Sequence, residues 1–374
     1  MTTEMTHQHE APTGGQDRLE ALSRAQVEAL RRGDYSDVYF NSTKRILERT
    51  GHRPRVLMQV FQRHEAVLCG IDEAIRVLRE GTGHLDPSGN WVPGFDDLVV
   101  RALPEGARIG PWEPVMTIEG DYASFAHLET VYLGLLARRT LIATNTAAVV
   151  AAAGAIPVLF FAARFDHHAT QEGDGWAAHI GGAAGVSTAS QAALFGGAPV
   201  GTVPHALIAA YGGDTVAAAR AFAEVYAGTG MRLAPLVDFH NDCTRTAVEV
   251  ADALGSDLWG VRLDTGGQMV DRALVDRMGG FRPTGVCAEL VFAVREALDA
   301  AGHQRIKILV SGGFDAAKIR SFAARGVPVD AYGVGSSLLR GENDFTADIV
   351  RTDGAPSAKV GRAEIPSDRL ERVR

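Results

Sequence analysis

Two glycine-rich turns, near residues 310 and 335, have the composition of a phosphate site. The segment LVSGGF ends at Phe314, and YGVGSS covers Tyr332–Ser337. Glycine lets the backbone approach an anion closely, and the free N–H groups where a helix begins favour negative charge. We therefore predict a phosphate site built from Ser311, Gly312, Gly313, Gly333, Gly335 and Ser336.

Carboxylates follow two other apolar runs. LVDFHND contains Asp238 and Asp242, and VRLDTGG contains Arg262, Asp264 and Thr265. A carboxylate at a strand end can hold Mg²⁺ or sugar hydroxyls, although Asp242 also suits the N-cap of the helix pattern that follows. Arg262 and Asp264 share one face of a strand, where they either pair with each other or contact a ligand. We predict substrate contacts for all five residues, with Mg²⁺ or sugar hydroxyls at Asp238 and Asp242.

Three further side chains could take part in the same chemistry. His205 lies in GTVPHAL; imidazole suits proton or phosphoryl transfer near neutral pH, although a lone histidine is more often structural. Arg164 in FAARFDHH suits a carboxylate or a phosphate. The adjacent His167 and His168 point to opposite faces of an extended segment, so we predict no direct protein cage for a metal. Tyr39 in DVYFNSTK either packs or stacks on a planar ring.

Short apolar runs alternate with helix-like patterns after residue 123, which indicates parallel β/α units. The active site of a β/α barrel forms from the loops after the strands, which would gather these residues. We predict an α/β fold with an irregular β/α (TIM-like) barrel and a smaller N-terminal α/β domain. The predicted strands are Pro157–Phe161, Pro199–Gly201, Ala234–Asp238, Trp259–Leu263, Lys307–Val310 and Ala331–Val334. The predicted helices between them are Gly185–Leu194, Thr215–Tyr226, Thr244–Leu254, Ala288–Ala300 and Asp315–Ala324.

The first third of the chain has a different pattern. Residues 97–120 contain short apolar runs broken by proline and glycine, which is typical of antiparallel strands. Helix-like patterns cover Arg18–Arg32, Glu65–Arg79 and Ser124–Ala153. The predicted organisation is a disordered tail over 1–30, an N-terminal α/β domain over 31–122, the barrel over 123–340, and an extension over 341–374 that packs on the N-terminal domain.

Composition excludes several classes of protein. The net charge of −8, with acids and bases mixed along the chain, argues against a nucleic-acid footprint. The longest apolar run, 147–163, is broken by Gly154 and Pro157, so we predict a helix that ends at Gly154 and a buried strand rather than a membrane span. The polar start and three dispersed cysteines, Cys69, Cys243 and Cys287, are typical of a cytoplasmic protein without disulfides.

Taken in order, these motifs resemble the nicotinate phosphoribosyltransferase family within the type II phosphoribosyltransferases. The resemblance covers about Asp37–Arg340. It is carried by SDVYFNST, HLETVYLGLLARRTLIAT, FFAARFDHH, GGAAGVSTASQAALFGGAPVGTVPHAL, LVDFHND, GVRLDTGG, ILVSGGFD and YGVGSS.

The resemblance implies a reaction in which nicotinate and phosphoribosyl pyrophosphate give nicotinate mononucleotide and pyrophosphate, coupled to ATP hydrolysis. The family's Gly-Thr-x-x-His motif carries a histidine that ATP phosphorylates transiently, which corresponds to His205. The resemblance also implies Mg²⁺, held through Asp238 or Asp264. It further implies a homodimer or higher homo-oligomer with shared active sites, with Tyr39 reaching in from the neighbouring subunit. The implied catalytic residues are His205, Asp238 and Asp264, and the implied substrate-binding residues are Tyr39, Arg164, Thr188, Asp242, Arg262 and Thr265.

Other functions stay open. The base could be nicotinamide, quinolinate or another heterocycle, although quinolinate should demand more cations than FAARFDHH contains. Gly267 stands where the family often has an aspartate, which is compatible with a catalytically silent nucleotide sensor. A barrel aldolase or isomerase would need a Schiff-base lysine at the end of a strand, whereas Lys307 is at a strand start.

Overall fold

A computed structural model describes residues 22–373. Their contacts form two compact units, one comprising the chain up to Arg138 together with the chain from Asn343, and the other Arg139–Glu342. The sequence analysis placed the first boundary at residue 122, but the division falls inside a long helix. Of the predicted tail, residues 1–21 lie outside the described residues. Disorder over residues 24–30 is wrong, because a capping box between Ser23 and Gln26 starts a helix there.

Helices and strands are numbered in chain order. The α-helices are α1 (Arg24–Arg32), α2 (Val38–Thr50), α3 (Ile71–Gly81), α4 (Tyr122–Phe125), α5 (Glu129–Ala153), α6 (Gln171–Ile180), α7 (Ala189–Ala192), α8 (His205–Ala210), α9 (Thr215–Val225), α10 (Cys243–Leu254), α11 (Ala288–Ala300) and α12 (Ala316–Ala324). The strands are β1 (Arg55–Phe61), β2 (Ala66–Val67), β3 (Gly83–Leu85), β4 (Trp91–Pro93), β5 (Val99–Ala102), β6 (Arg108–Ile109), β7 (Met116–Asp121), β8 (Val158–Phe160), β9 (Gly185–Val186), β10 (Gly260–Leu263), β11 (Lys307–Val310), β12 (Ala331–Val334), β13 (Thr346–Thr352), β14 (Ala355–Pro356) and β15 (Glu371–Arg372). Short 3₁₀ helices cover Phe95–Asp97, Ala126–Leu128, Ala163–Phe165, His168–Thr170, Ala193–Phe195, Gly255–Asp257, Arg272–Arg277 and Ser336–Leu339.

The first unit is built on an antiparallel sheet in the order β14-β13-β1-β7-β5-β15. The antiparallel strands predicted over residues 97–120 are confirmed as β5, β6 and β7. Its core is apolar, with side chains such as Met58, Ile118 and Leu128 fully buried. The helix predicted over Glu65–Arg79 starts only at Ile71, because Gly70 has a φ of +98°, which is incompatible with a continuing helix.

The second unit carries a parallel sheet in the order β10-β11-β12-β8-β9. The predictions for β11 and β12 are confirmed to the residue, and those for β8 and β10 within one residue at each end. The sheet confirms the predicted α/β class with parallel strands. Residues 199–201 and 234–238 are not regular strands; isolated parallel bridges join Val203 to Pro235 and Leu236 to Arg262 nearby. The prolines in these segments have no N–H to donate, so a full ladder cannot form.

Two of the predicted helices need correction. Gly185–Leu194 begins with β9, and its helical part starts at Ala189, because Thr188 is extended and caps it through a hydrogen bond from the N–H of Gln191. The end of the long helix at Gly154 is confirmed, with a φ of +61° at that glycine. The start predicted at Ser124 is wrong, because α4 and a 3₁₀ turn precede α5.

Among residues 22–373, no helix is both long enough and apolar enough to cross a bilayer.

A buried carboxyl group lies at the start of α5. The side chain of Glu129 is mostly buried, and burial followed by the nearby Asp348 carboxylate raises its pKa from 4.5 to about 8. The folded chain therefore retains a proton that the unfolded chain releases between those two values. The free energy of unfolding should accordingly fall as the pH rises from 4.5 to about 8.

Glu129→Gln tests whether the protonation of this carboxyl group makes the free energy of unfolding depend on pH. The substitution removes the charge that burial disfavours, so the variant should lose less stability than the wild type as the pH rises through that window. Thermal unfolding followed by circular dichroism at several pH values measures the difference. Glu65→Gln, at an exposed turn, is the matched control, and equal pH slopes for wild type and Glu129→Gln would contradict the prediction.

Candidate functional site

His205 and Asp238 form a close pair in the second unit. His205 is the first residue of α8, and its Nε2 lies 3.0 Å from Oδ1 of Asp238. Asp238 is buried and follows the segment that bridges to β10, whereas 43% of the His205 side chain is exposed. Burial raises the pKa of the Asp238 carboxyl, and the nearby His205 acts in the opposite direction. One ring edge is thus held by a buried carboxylate while the side chain as a whole remains accessible.

Arg262 is held by side chains from several strand ends. Its Nε donates to Oγ of Ser311 at 2.8 Å, and its Nη1 donates to Oγ1 of Thr202 at 2.9 Å. Ser311 Oγ lies 2.8 Å from Oδ1 of Asp264, whose Oδ2 is 3.4 Å from Nη2 of Arg262. The guanidinium lies 5.1 Å from the centre of the Phe161 ring. Burial lowers the pKa of Arg262, and the two carboxylates of Asp264 and Asp238 oppose that shift.

The two glycine turns face a single cleft. Gly312 and Gly313 have φ values of +83° and +71°, a region that favours glycine. A Cβ at Gly333 would lie 2.7 Å from the Phe161 ring, and one at Gly335 would lie 2.6 Å from the Phe165 ring and 2.9 Å from the Phe161 carbonyl oxygen. The cleft is lined by Phe161, Arg164, Phe165, Arg262, Asp264, Ser311, Gly312, Gly313, Phe314, Asp315, Gly333, Gly335, Ser336, Ser337 and Arg340.

A second cleft adjoins the first. His205, Ser187, Thr202 and Pro204 line it, together with four residues that line both clefts: Phe161, Arg164, Arg262 and Asp264. The combined surface offers an aromatic face, guanidinium groups, a carboxylate and an accessible imidazole. Such a set can bind an anion and hold a planar ring beside it.

Several predicted residues lie elsewhere. Thr265 is buried against the Sγ of Cys243 at 3.7 Å, and Thr188 caps α7, so the predicted substrate contacts of both have no support in the apo geometry. Asp242 accepts from Nε of Arg245 at 3.0 Å, and neither cleft includes it. Tyr39 belongs to the first unit, where its side chain is exposed on α2.

The alternative interpretation, in which the Asp242 side chain caps the following helix, is correct for its position but not for its hydrogen bond. Asp242 occupies the N-cap position of α10, but its carboxylate makes no capping hydrogen bond. The carboxylate of Asp271 instead accepts from the N–H of Cys243 at 3.0 Å. This contact joins segments 28 residues apart, which local sequence patterns do not reveal.

The sequence analysis missed Phe161 and Thr202 as site residues. Thr202 lies three positions before His205, and Phe161 comes directly after β8. Their position at the carboxyl end of an apolar run was the available signal. Within residues 22–373, no group of three or more acidic, histidine or cysteine side chains could hold a metal.

Several known proteins resemble this chain in sequence. Residues 37–140 match the family described as the quinolinate phosphoribosyl transferase N-terminal domain. A nicotinate phosphoribosyltransferase of Mycobacterium tuberculosis is 36% identical over 281 residues, which are 72% of this chain and 57% of that protein. A nicotinate phosphoribosyltransferase of Bacillus subtilis is 28% identical over 82% of this chain and 63% of its own length. The chain thus spans less than two thirds of these curated relatives.

Solved structures extend the likeness. A nicotinate-nucleotide pyrophosphorylase from Pyrococcus furiosus superposes with a TM-score of 0.76 and 35% identity, covering 92% of this chain and 81% of that one. Human nicotinic acid phosphoribosyltransferase shares the fold, with a TM-score of 0.61, 20% identity and coverage of 86% and 75%. The parallel β/α unit and these neighbours define a type II phosphoribosyltransferase fold. The chain belongs to the nicotinate phosphoribosyltransferase family.

Gly335→Ala should weaken the phosphate binding that the sequence predicts for the first cleft. The new Cβ would press on a backbone oxygen as well as a ring, so the turn has to move. We expect ribose 5-phosphate to bind at least about tenfold more weakly in calorimetric titrations. Gly280→Ala is the control, because a Cβ there meets no atom within 4 Å. Unchanged affinity in Gly335→Ala would remove this turn from the phosphate site.

Proposed function

We propose that this chain forms nicotinate mononucleotide and pyrophosphate from nicotinate and phosphoribosyl pyrophosphate, a step that returns nicotinate to NAD. The observation that carries the proposal is the adjoining pair of clefts, in which the glycine turns lie beside Arg164, Arg262 and Asp264. The curated relatives named above support the choice of nicotinate.

Each cleft has a distinct task in this proposal. The glycine turns bind the 5′-phosphate through backbone N–H groups, and Arg164 binds the nicotinate carboxylate beside Phe161. The carboxylate of Asp264 faces the ribose. As the bond from C1 to pyrophosphate breaks and the bond to the ring nitrogen forms, positive charge develops on the sugar. A fixed carboxylate stabilises that charge, so catalysis depends mostly on positioning and electrostatics.

His205 is the proposed acceptor of a phosphoryl group from ATP. The Asp238 carboxylate accepts from Nε2, which leaves the lone pair on Nδ1 as the nucleophile. A bond then forms between Nδ1 and the γ-phosphorus, and the bond to the ADP oxygen breaks. The phosphorylated ring places an anion beside the second cleft, where it can alter the affinity for substrate and pyrophosphate.

Mg²⁺ fits this site only as a partner of substrate phosphates. The described residues provide no three-ligand group, and the Asp238 and Asp264 carboxylates already accept hydrogen bonds. Either carboxylate could hold the ion while water and phosphate oxygens complete its coordination. The ion would neutralise charge on the departing pyrophosphate.

The parallel sheet supports an irregular barrel as the finer architecture. The N–H of Val200 donates to the carbonyl of Val186 at 2.8 Å, which continues the sheet beyond β9. The bridges at Val203–Pro235 and Leu236–Arg262 then lead to β10. Because β12 pairs with β8, this sequence of neighbours returns to its start. Among the described residues Cys69, Cys243 and Cys287 form no disulfide, which further supports a reducing, cytoplasmic compartment.

A turnover assay with and without ATP tests the function. Wild type should convert nicotinate and phosphoribosyl pyrophosphate to nicotinate mononucleotide in the presence of Mg²⁺, with a rate that ATP raises. His205→Ala should lose the ATP effect and the accompanying ADP release, because the acceptor nitrogen is gone. His303→Ala, which removes a ring paired with Asp252 outside both clefts, is the control. An ATP effect that survives in His205→Ala would exclude the phosphohistidine.

Quinolinate is the second candidate base. Arg262 joins Arg164 in both clefts, so the site has more positive charge near the ring than the sequence analysis inferred from FAARFDHH. The family match at residues 37–140 also carries the quinolinate name. Turnover of quinolinate or nicotinamide in place of nicotinate would keep the reaction class and change the base. Binding of nucleotide without turnover of any base would favour the silent sensor.

A homodimer or higher homo-oligomer is proposed from the exposed face of α2. Val38, Tyr39 and Ile46 are large side chains exposed there, and the exposed Tyr35 lies just before the helix; such a face is unusual for a helix that faces only water. In this proposal Tyr39 reaches the active site of the neighbouring subunit. Val38→Asp should shift sedimentation towards a smaller species, whereas Val225→Asp, at a similarly exposed valine on α9, should not. Equal sedimentation of wild type and Val38→Asp would contradict this interface.

A further inference from the structure

The two glycine turns are linked to each other by Ser337. Its Oγ donates to the carbonyl oxygen of Phe314 at 2.8 Å, which joins the turn after β12 to the turn after β11. Ser337 comes directly after Ser336, and Phe314 comes directly after Gly313. The distance between the two sets of backbone N–H groups therefore depends on this hydrogen bond.

Phe314 in turn is fixed by its surroundings. Its side chain is only 2% exposed, and its ring centre lies 5.1 Å from that of Phe322 and 5.5 Å from that of Tyr332. The Nζ of Lys318 lies 4.0 Å from the same ring centre, within the range of a cation–π contact. A ring held on several sides makes the Phe314 carbonyl a rigid acceptor for Ser337.

Lys318 also contacts the first turn directly. Its Nζ lies 3.4 Å from the carbonyl oxygen of Gly312, a residue in the left-handed region. Lys318 does not line the described cleft, and its ammonium instead contacts the Gly312 carbonyl and the Phe314 ring. Burial lowers the pKa of Lys318, and the nearby Cys287 and Asp315 act in the opposite direction.

We propose that Ser337 and Lys318 are positioning residues that hold the two glycine turns at the separation required for one phosphate group. Ser337 fixes the distance between the turns, and Lys318 orients the Gly312–Gly313 peptide through the Gly312 carbonyl. The inference rests on the proposed function only in assigning a phosphate to this cleft. It does not depend on which base reacts or on ATP.

The test uses conservative pairs of variants on the full chain. Ser337→Ala removes the hydroxyl and Ser337→Thr retains it, whereas Lys318→Met keeps most of the stem on Phe314 and Lys318→Arg restores the charge. Ribose 5-phosphate binding is measured by calorimetry, and kcat and KM are measured for phosphoribosyl pyrophosphate and for the base. Circular dichroism confirms folding of each variant. If Ser337→Ala does not fold, the lysine pair carries the test alone.

Ser337→Ala and Lys318→Met should each weaken ribose 5-phosphate binding about threefold to tenfold, as expected for one lost polar contact. KM for phosphoribosyl pyrophosphate should rise by a similar factor, while KM for the base changes little, and Ser337→Thr and Lys318→Arg should recover most of the loss. A merely structural role would lower thermal stability without this selective change in KM.

The outcomes separate the inference from the proposed function. If the wild type binds ribose 5-phosphate but turns over no base, the proposed function is wrong. The binding measurements on the variants would still decide the roles of Ser337 and Lys318. Unchanged ribose 5-phosphate affinity in folded Ser337→Ala and Lys318→Met would overturn the inference while nicotinate turnover stands. Wild type that does not bind ribose 5-phosphate would overturn the phosphate assignment and the inference together.

Discussion

The buried guanidinium of Arg262 is the constraint on which the cleft depends. Removing a cation from water is costly unless its donors are matched, and here Ser311, Thr202 and Asp264 meet them while the Phe161 ring covers one side. These partners come from separate strand ends. One charge therefore fixes the relative positions of the segments after β8, β10 and β11, together with the turn before His205.

The His205–Asp238 pair belongs to the same electrostatic environment. Asp238 is buried, and the nearby Asp264 carboxylate adds to the raising of its pKa. Arg262 and His205 oppose that effect, so the carboxylate keeps its negative charge more easily than burial alone would allow. An imidazole held by a carboxylate has one ring nitrogen committed and the other available. Neither the charge of the Asp238 carboxylate nor the single available ring nitrogen of His205 would arise on an isolated strand, because both depend on neighbours from other segments.

Sequence patterns predicted the parallel strands and the residues at their ends, because both depend on local apolar runs and glycine turns. β11 and β12 are confirmed to the residue, and all six predicted phosphate contacts line one cleft. Long-range partners could not be predicted in the same way. Thr265 and Asp264 are adjacent in sequence, yet one packs on Cys243 and the other faces the cleft, because successive residues of an extended segment point to opposite sides. Full strands were predicted over residues 199–201 and 234–238, whereas only isolated bridges form nearby, because the prolines there have no N–H to donate.

The balance of charge explains why glycine rather than lysine dominates the proposed phosphate site. Arg164, Arg262 and Arg340 line the first cleft, but Asp264 and Asp315 offset much of their charge. Because the side chains of the cleft carry so little net positive charge, they cannot balance the negative charges of several phosphate groups. In the proposed function, backbone N–H groups supply directional attraction without adding a full charge, and the proposed Mg²⁺ that arrives with the substrate supplies the rest. The proposal thus lets a chain with a net charge of −8 recognise a polyanion locally, with the proposed sugar-facing carboxylate of Asp264 beside the glycine turns.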